Sequence, residues 1–363
     1  MMRRKRIYFF VNDFGLTGSE TLLSQFISDL SKDNRYKIFI VTTSKKSKSE
    51  LELTNDIVFK SFNKDFSFVE KVLFKVGVNV FKYKLKKLFS GLSPDIAYLN
   101  TVNNAYLIPY ISQFNLVNIL HVHELLMGLN SLDKKDFSNM ILLTDELVTC
   151  SDLVTNLYGD IYTKKITQIN SIPSFKNFDS NGPLENDFEV DSQKYKIACA
   201  GTICYRKGFD RFLEIAERLD SEKFTMYWFG KFDESAYSEW VKLKLQLPKF
   251  QHVVIISLPS QIAYLHALSK CDLFLFTSRE ESMGMVLFDA MHANLPIISL
   301  EENGSKLILD KGKGQLIGTN DIVNIHNIVL DSIESKSEKT KNSVTENHYQ
   351  VEFAKFAQLF EKY

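Results

Sequence analysis

The sequence predicts two successive α/β units, each a doubly wound parallel sheet with helices on both faces, the two facing across a cleft. Three observations carry the prediction. Short β-branched and aromatic runs alternate with segments of helical apolar spacing, the pattern of parallel strands joined by crossover helices. The alternation lapses between Ser174 and Gln193, where Asn, Asp, Ser, Gly182 and Pro183 take over, and then resumes. A length of 363 residues itself carries a prior of about two domains.

In chain order, residues 7–12 read as the first strand and 15–19 as a glycine-containing turn. A helix over 20–30 then carries Leu22, Leu23, Phe26, Ile27 and Leu30 on one face. Strands follow at 38–43, 57–62, 95–100 after the Ser93-Pro94 turn, 116–123, and 146–150, the last leading into a helix from Ser151. The second series has strands at 195–200, 224–229, 253–256, 272–277 and 296–299, with helices over 209–219, 262–268 and 285–293. The expected organisation is an amino-terminal Rossmann-like domain over 1–174, a linker over 175–193 and a carboxyl-terminal Rossmann-like domain over 194–345. A terminal helix over 346–363 is expected to pack back on the first domain through the stripe Val351, Phe353, Phe356, Leu359 and Phe360.

Composition excludes several classes. Lys+Arg and Asp+Glu balance at 44 each, which leaves no global basic field for a nucleic-acid binder. No run of about 18 apolar residues is present, so no membrane-spanning helix is expected. Residues 7–11 are too short for the apolar part of a signal peptide, and the expected compartment is the cytoplasm. Cys150, Cys199, Cys204 and Cys271 fall in or beside core strands and read as small buried thiols. The sequence contains no Asp-x-Asp pair for a metal-held diphosphate, no Gly-x-Ser-x-Gly elbow and no Walker A loop.

The segment Thr277-Ser278-Arg279-Glu280-Glu281-Ser282-Met283-Gly284 ends a strand, adds two acids and opens a helix at Gly284, whose first-turn N–H groups suit a diphosphate. Asp289 follows one turn inside that helix. Read from the residues alone, the acids serve equally as charges at a positive helix end. Arg206-Lys207-Gly208, after the strand at 195–200, is on its own a basic turn. His121 and His123 alternate along a strand and so share a face, open to a metal pair or to hydrogen-bonded core histidines. Gly312-Lys313-Gly314 reads as a turn.

The segment from Glu281 to Asp289 resembles the Glu-x7-Glu signature of GT-B glycosyltransferases, specifically the large retaining family numbered four. The resemblance implies two Rossmann-like domains facing across a cleft, the second holding a nucleotide-sugar and the first presenting an acceptor hydroxyl. It implies that Glu281, Ser282 and Met283 contact the donor sugar, that Gly284 and Met285 meet the diphosphate, and that Asp289, shorter than the usual Glu, binds the ribose. Ala200-Gly201-Thr202-Ile203-Cys204-Tyr205-Arg206-Lys207-Gly208 is similar to the family's diphosphate grip, with Lys207 on the basic position. Thr202 stands where an Arg is usual, and the adjacent Arg206 can supply the second cation. Thr17-Gly18-Ser19-Glu20 resembles the family's Gly-Gly-Ala-Glu turn, with Gly18 at the phosphate. His123 matches the histidine near the reacting carbon, and Gly230 and Leu258 fall where the base is flanked. The resemblance further implies retention by same-face substitution, with no metal and no other cofactor. The acceptor is expected to be a glycan, a lipid-linked molecule or a protein. A non-catalytic subunit of the same family that binds glycan or stabilises a partner enzyme is the rival from another class. A nucleotide-sugar epimerase fits the motifs less well.

From Lys71 to Lys87 six lysines and no acid interleave with Leu73, Phe74, Val78, Phe81, Tyr83 and Leu85. This is read either as one basic amphipathic helix on anionic lipid at the inner face of the membrane or as a solvated helix face.

Overall fold

The computed structural model describes residues 3–12, 17–43, 57–130, 132–176, 193–300, 305–309, 314–335 and 346–363. The chain divides into two units, Met1–Pro173 with Tyr349–Tyr363, and Ser174–His348. Most of the linker reading, Gly15 of the first turn and Gly312-Lys313 lie outside the described residues.

The first unit is built on β1 (Lys5–Val11), β2 (Tyr36–Thr42), β3 (Ile57–Ser61), β4 (Ile96–Asn100), β5 (Val117–Val122), β6 (Glu146–Thr149) and β7 (Lys165–Gln168). All pair in parallel, in the order β3-β2-β1-β4-β5-β6-β7, with Ile7 opposite Ile38 on one side and Ile96 on the other. Strand β1 lies between two helical layers, so a charge at its centre would be stranded from water; Ile7, Tyr8, Phe9, Phe10 and Val11 are fully buried. The one phenol in that run, Tyr8, donates to the Leu92 carbonyl at 2.7 Å.

The terminal helix Glu346–Glu361 covers one face of this sheet from Tyr349 onward. Phe356 stacks on Phe26 at 4.8 Å between ring centroids and reaches Phe9. The buried stripe is Tyr349, Glu352, Phe356, Leu359 and Phe360, whereas Val351 is 56% exposed, so the expected stripe is corrected at its start. Glu352 tolerates burial because it accepts from the Asn170 backbone N–H at 2.8 Å and from Asn170 Nδ2 at 3.1 Å.

The second unit holds β8 (Tyr195–Ala200), β9 (Phe224–Phe229), β10 (Val253–Ile256), β11 (Leu273–Phe276), β12 (Ile297–Leu300) and β13 (Gln315–Ile317). The sheet is parallel, ordered β10-β9-β8-β11-β12-β13, with Ile197 facing both Met226 and Leu273. Trp228 anchors the core against Phe209 and Phe212 at 4.7 and 5.1 Å. In each sheet the strand order reverses at the first strand, since β1 lies between β2 and β4 and β8 between β9 and β11. The loops leaving the carboxyl ends of those neighbours diverge there, and that is where open α/β sheets place ligands.

The basic stretch expected as one helix is two, Phe68–Lys75 and Val80–Leu88. Gly77 separates them with φ of +84°, a left-handed conformation that ends a helix.

Candidate functional site

In the second unit the loops after β8 and β11 are stitched together by backbone. The chain leaves β8 through Gly201, at φ +136°, where a Cβ would stand 3.2 Å from Lys207 Cε. The absence of a side chain there lets the Lys207 stem lie across the turn. The short helix Tyr205–Lys207 stops at Gly208, which is left-handed at φ +71°. A Cβ on Gly208 would sit 2.1 Å from the Thr277 carbonyl oxygen, so the close approach of the two loops depends on it. Thr277 Oγ1 donates to the Lys207 carbonyl at 3.1 Å, and the Arg279 N–H donates to the Arg206 carbonyl at 2.8 Å.

This stitching gathers the charged groups. Lys207 Nζ pairs with Glu281, and both side chains are only 12% exposed. Arg206 Nη1 lies 3.5 Å from the same carboxylate and donates to the Glu280 carbonyl at 3.1 Å. Burial alone would raise the Glu281 carboxyl, but the Lys207 and Arg206 charges and the Lys207 hydrogen bond hold it below the ordinary value. Two cations thus share the Glu281 carboxylate where two strand ends meet. The next loop carries Ser282 and Met283, both half-buried. Gly284 then caps the helix Met285–His292 in a left-handed conformation, its would-be Cβ 3.4 Å from Glu281 Cγ. Of the first-turn N–H groups, that of Leu287 donates to the Gly284 carbonyl at 2.8 Å, and those of Met285 and Val286 lie too early in the helix to have an acceptor within it.

Asp289 is buried in the second turn of that helix, and burial raises its carboxyl to about 7, partly opposed by a hydrogen bond from Gln261. Gln261 Nε2 donates to it at 3.3 Å from the start of the helix Gln261–Ser269. Leu258, half-buried, lies in the loop that enters the same helix. Gly230 ends β9, and a Cβ on it would fall 1.9 Å from the Gly201 carbonyl oxygen. The backbone crowding at Gly201 is therefore sufficient to require glycine at 230, apart from any base.

Sequence reasoning missed the brace behind this corner. Arg279 forms a bidentate pair with Asp210 at 2.7 and 2.6 Å and lies 3.8 Å over the Tyr205 ring. Tyr237 also donates to Asp210 at 2.8 Å. Burial would raise Asp210, but the hydrogen bonds from Arg279 and Tyr237 and the Arg279 charge keep it low. Arg279 lies beside the acids in sequence, yet its partner stands 69 residues earlier with three strands between them in the chain, and no local signal announces the pair.

In the first unit, Gly18 opens the helix Gly18–Leu30 and is exposed. Thr17 takes the cap position without a capping bond; its hydroxyl donates instead to Glu20 at 2.7 Å. His123 follows directly on β5, its Nε2 3.0 Å from Asn100 Oδ1. His121 Nδ1 lies 2.7 Å from the Tyr98 hydroxyl, and the two imidazole rings are 3.9 Å apart. Burial lowers His123 to about 3 and His121 well below its usual value, so both are neutral at pH 7. Among the described residues no group of three or more His, Cys, Asp or Glu could hold a metal ion. Thr101, at the end of β4, has φ of +66°, a strained conformation for a β-branched residue, and its buried hydroxyl has no partner among the described residues.

Residues 183–351, most of the second unit, match the model of the family described as glycosyl transferases group 1. Alpha-galactosylglucosyldiacylglycerol synthase of Streptococcus pneumoniae is 24% identical over 199 residues, 50% of this chain and 52% of that protein. The match thus spans about half the length of the curated relative. Among solved structures, sucrose-phosphate synthase from Thermosynechococcus elongatus superposes with a TM-score of 0.75 at 13% identity, covering 99% of both chains. Anabaena HepE, in complex with UDP and glucose, gives 0.71 at 13% identity, again over 99% of both. The fold is that of GT-B glycosyltransferases.

Proposed function

We propose that this chain transfers a sugar from a nucleotide-sugar donor to an acceptor hydroxyl, retaining the anomeric configuration and using no metal. The observation that carries the reading is the Arg206–Lys207–Glu281 corner beside a helix start, within the domain that matches the family. A departing nucleoside diphosphate carries negative charge, and two preorganised cations stabilise it where no metal does. In this scheme Lys207 and Arg206 take the diphosphate together with the N–H groups after Gly284, and Glu281, freed from part of its pairing, meets the donor hydroxyls. Ser282 and Met283 line the sugar, and Asp289 takes the ribose. The bond from the anomeric carbon to the phosphate oxygen breaks as the acceptor oxygen bonds the same face of that carbon. The acceptor proton passes to the departing phosphate oxygen. His123 is assigned to the sugar as a neutral hydrogen-bonding group.

UDP-sugars are the first donors to try, because one structural neighbour holds UDP and glucose. A lipid-linked acceptor is the first to try, because the curated relative is named for a glycosylated diacylglycerol. The test is incubation of the purified protein with a panel of UDP- and GDP-sugars, with released nucleotide measured with and without a chelator. Turnover of one donor, unchanged by the chelator and giving a product of unchanged anomeric configuration, is expected. Binding of none by the folded protein would favour the non-catalytic subunit, a reading supported by Thr202 and Asp289, which depart from the Arg and Glu of the motifs these segments resemble.

A further inference from the structure

The helix Phe68–Lys75 buries none of its residues, although its sequence is mostly apolar. Phe68 is 82% exposed, Val76 71% and Phe74 63%, and Val69 and Val72 are exposed beside them. A surface helix ordinarily turns such a face to a core. The following helix, Val80–Leu88, does so, burying Val80 and Leu85, while Lys82, Lys86 and Lys87 stay at the surface. Lys71 and Lys75 are exposed on the first helix. The acid nearest these lysines, Glu70, is paired with Lys84 at 3.2 Å, so neither of those two contributes free charge. Among the described residues this exposed apolar face meets another ring only where Phe74 packs against Phe66 at 5.6 Å, and it is rimmed by five exposed lysines with no acid between Lys71 and Lys87.

We propose that this face docks on an anionic lipid bilayer, with Phe68, Val69, Val72, Phe74 and Val76 entering the interface and the lysines meeting the head groups. The charge decides for lipid over a second copy of the chain: a symmetric contact would set the lysine rims against each other, whereas an anionic surface matches all five. The break at Gly77 has a use here. It lets the first helix present its apolar side outward while the second stays packed on the unit through Leu85 and through Phe81 against Tyr110. No sugar donor enters the argument, so it stands or falls separately from the transfer reading.

The test is sedimentation of the full chain with vesicles of phosphatidylcholine alone or mixed with phosphatidylglycerol, at low and high salt. Binding to the anionic vesicles is expected to be at least about tenfold tighter and to weaken with salt. The variants Phe68→Ser/Val76→Ser and Lys82→Glu/Lys86→Glu/Lys87→Glu should each lose about tenfold in binding with unchanged melting curves, because none of these side chains is in the core. Equal binding to neutral and anionic vesicles by the unmodified protein, a comparison that needs no variant, would overturn the proposal. So would wild-type binding by either folded variant, or a dimer in solution that Phe68→Ser/Val76→Ser dissolves.

Discussion

Both units end their central strands in polar clusters, and the clusters differ in kind. At β8 and β11 the groups are charged and tied to one another: Lys207 and Arg206 to Glu281, Arg279 to Asp210. At β4 and β5 the cluster centres on two neutral imidazoles whose protonation burial suppresses, with Tyr98 and Asn100 as partners and a strained Thr101 beside them, and its acid, Glu124, accepts from the backbone N–H groups of His123 and Val102 at 3.0 and 3.3 Å. One architecture therefore supplies two chemistries. Paired cations suit a diphosphate that leaves, and imidazole, amide and carboxylate groups without a paired side-chain cation among those named suit a polyol whose hydroxyls need direction.

The comparison breaks most sharply at Lys207. Lys207→Ala should lower turnover by about 100-fold or more, the cost of losing one preorganised charge donor. Steady-state rates with the donor identified by the panel check this, and wild-type rates would remove Lys207 from the site.

Asp289 comes next. Its folded carboxyl is raised to about 7, whereas an unfolded Asp ionises near 4, so between those values the folded chain keeps a proton that the unfolded chain has lost. Stability therefore falls as pH rises through that window and levels off above it, by about 4 kcal/mol in all. Urea midpoints at pH 5 and pH 8 should show the fall in the wild type and not in Asp289→Asn.

The brace should matter somewhat less to stability. Arg279→Ala leaves Asp210 largely buried with Tyr237 alone, at a cost of about 1.5 kcal/mol. Arg279→Lys should recover little, because a lysine cannot form the bidentate pair. Denaturant unfolding of the two variants measures both statements. The smallest effect is expected at the two imidazoles: the ring signals of His121 and His123 should not titrate between pH 5 and pH 8 in NMR spectra. Titration of either near pH 6.5 would erase the contrast between the units.

Legibility in the sequence follows the same physical lines. Strands β8, β9 and β10 are readable to their ends, as apolar and β-branched runs set off by polar or glycine-containing segments. The Lys165–Gln168 and Gln315–Ile317 strands are not, because they are short edge strands with polar residues facing solvent and no apolar run to mark them. Glu281, Asp289 and Lys207 were reachable through motif resemblance, but the pairing of Lys207 with Glu281 was not: it comes from two loops joined through Gly208 and Thr277, far apart in the chain. Arg279–Asp210 spans 69 residues and carries no motif. Thr101 is invisible for a different reason, since a positive φ at threonine is imposed by the fold and leaves no mark in composition. The basic stretch was seen, but its division at Gly77 decides which apolar residues are exposed, and that needs the backbone.

The central claim is that the Lys207–Arg206 corner of the second unit receives a diphosphate. Calorimetric titration of UDP and GDP into the wild type and into Lys207→Ala tests it directly. The account predicts saturable binding of one nucleotide to the wild type and a loss of about tenfold or more in the variant. Equal affinity in the two proteins would contradict it.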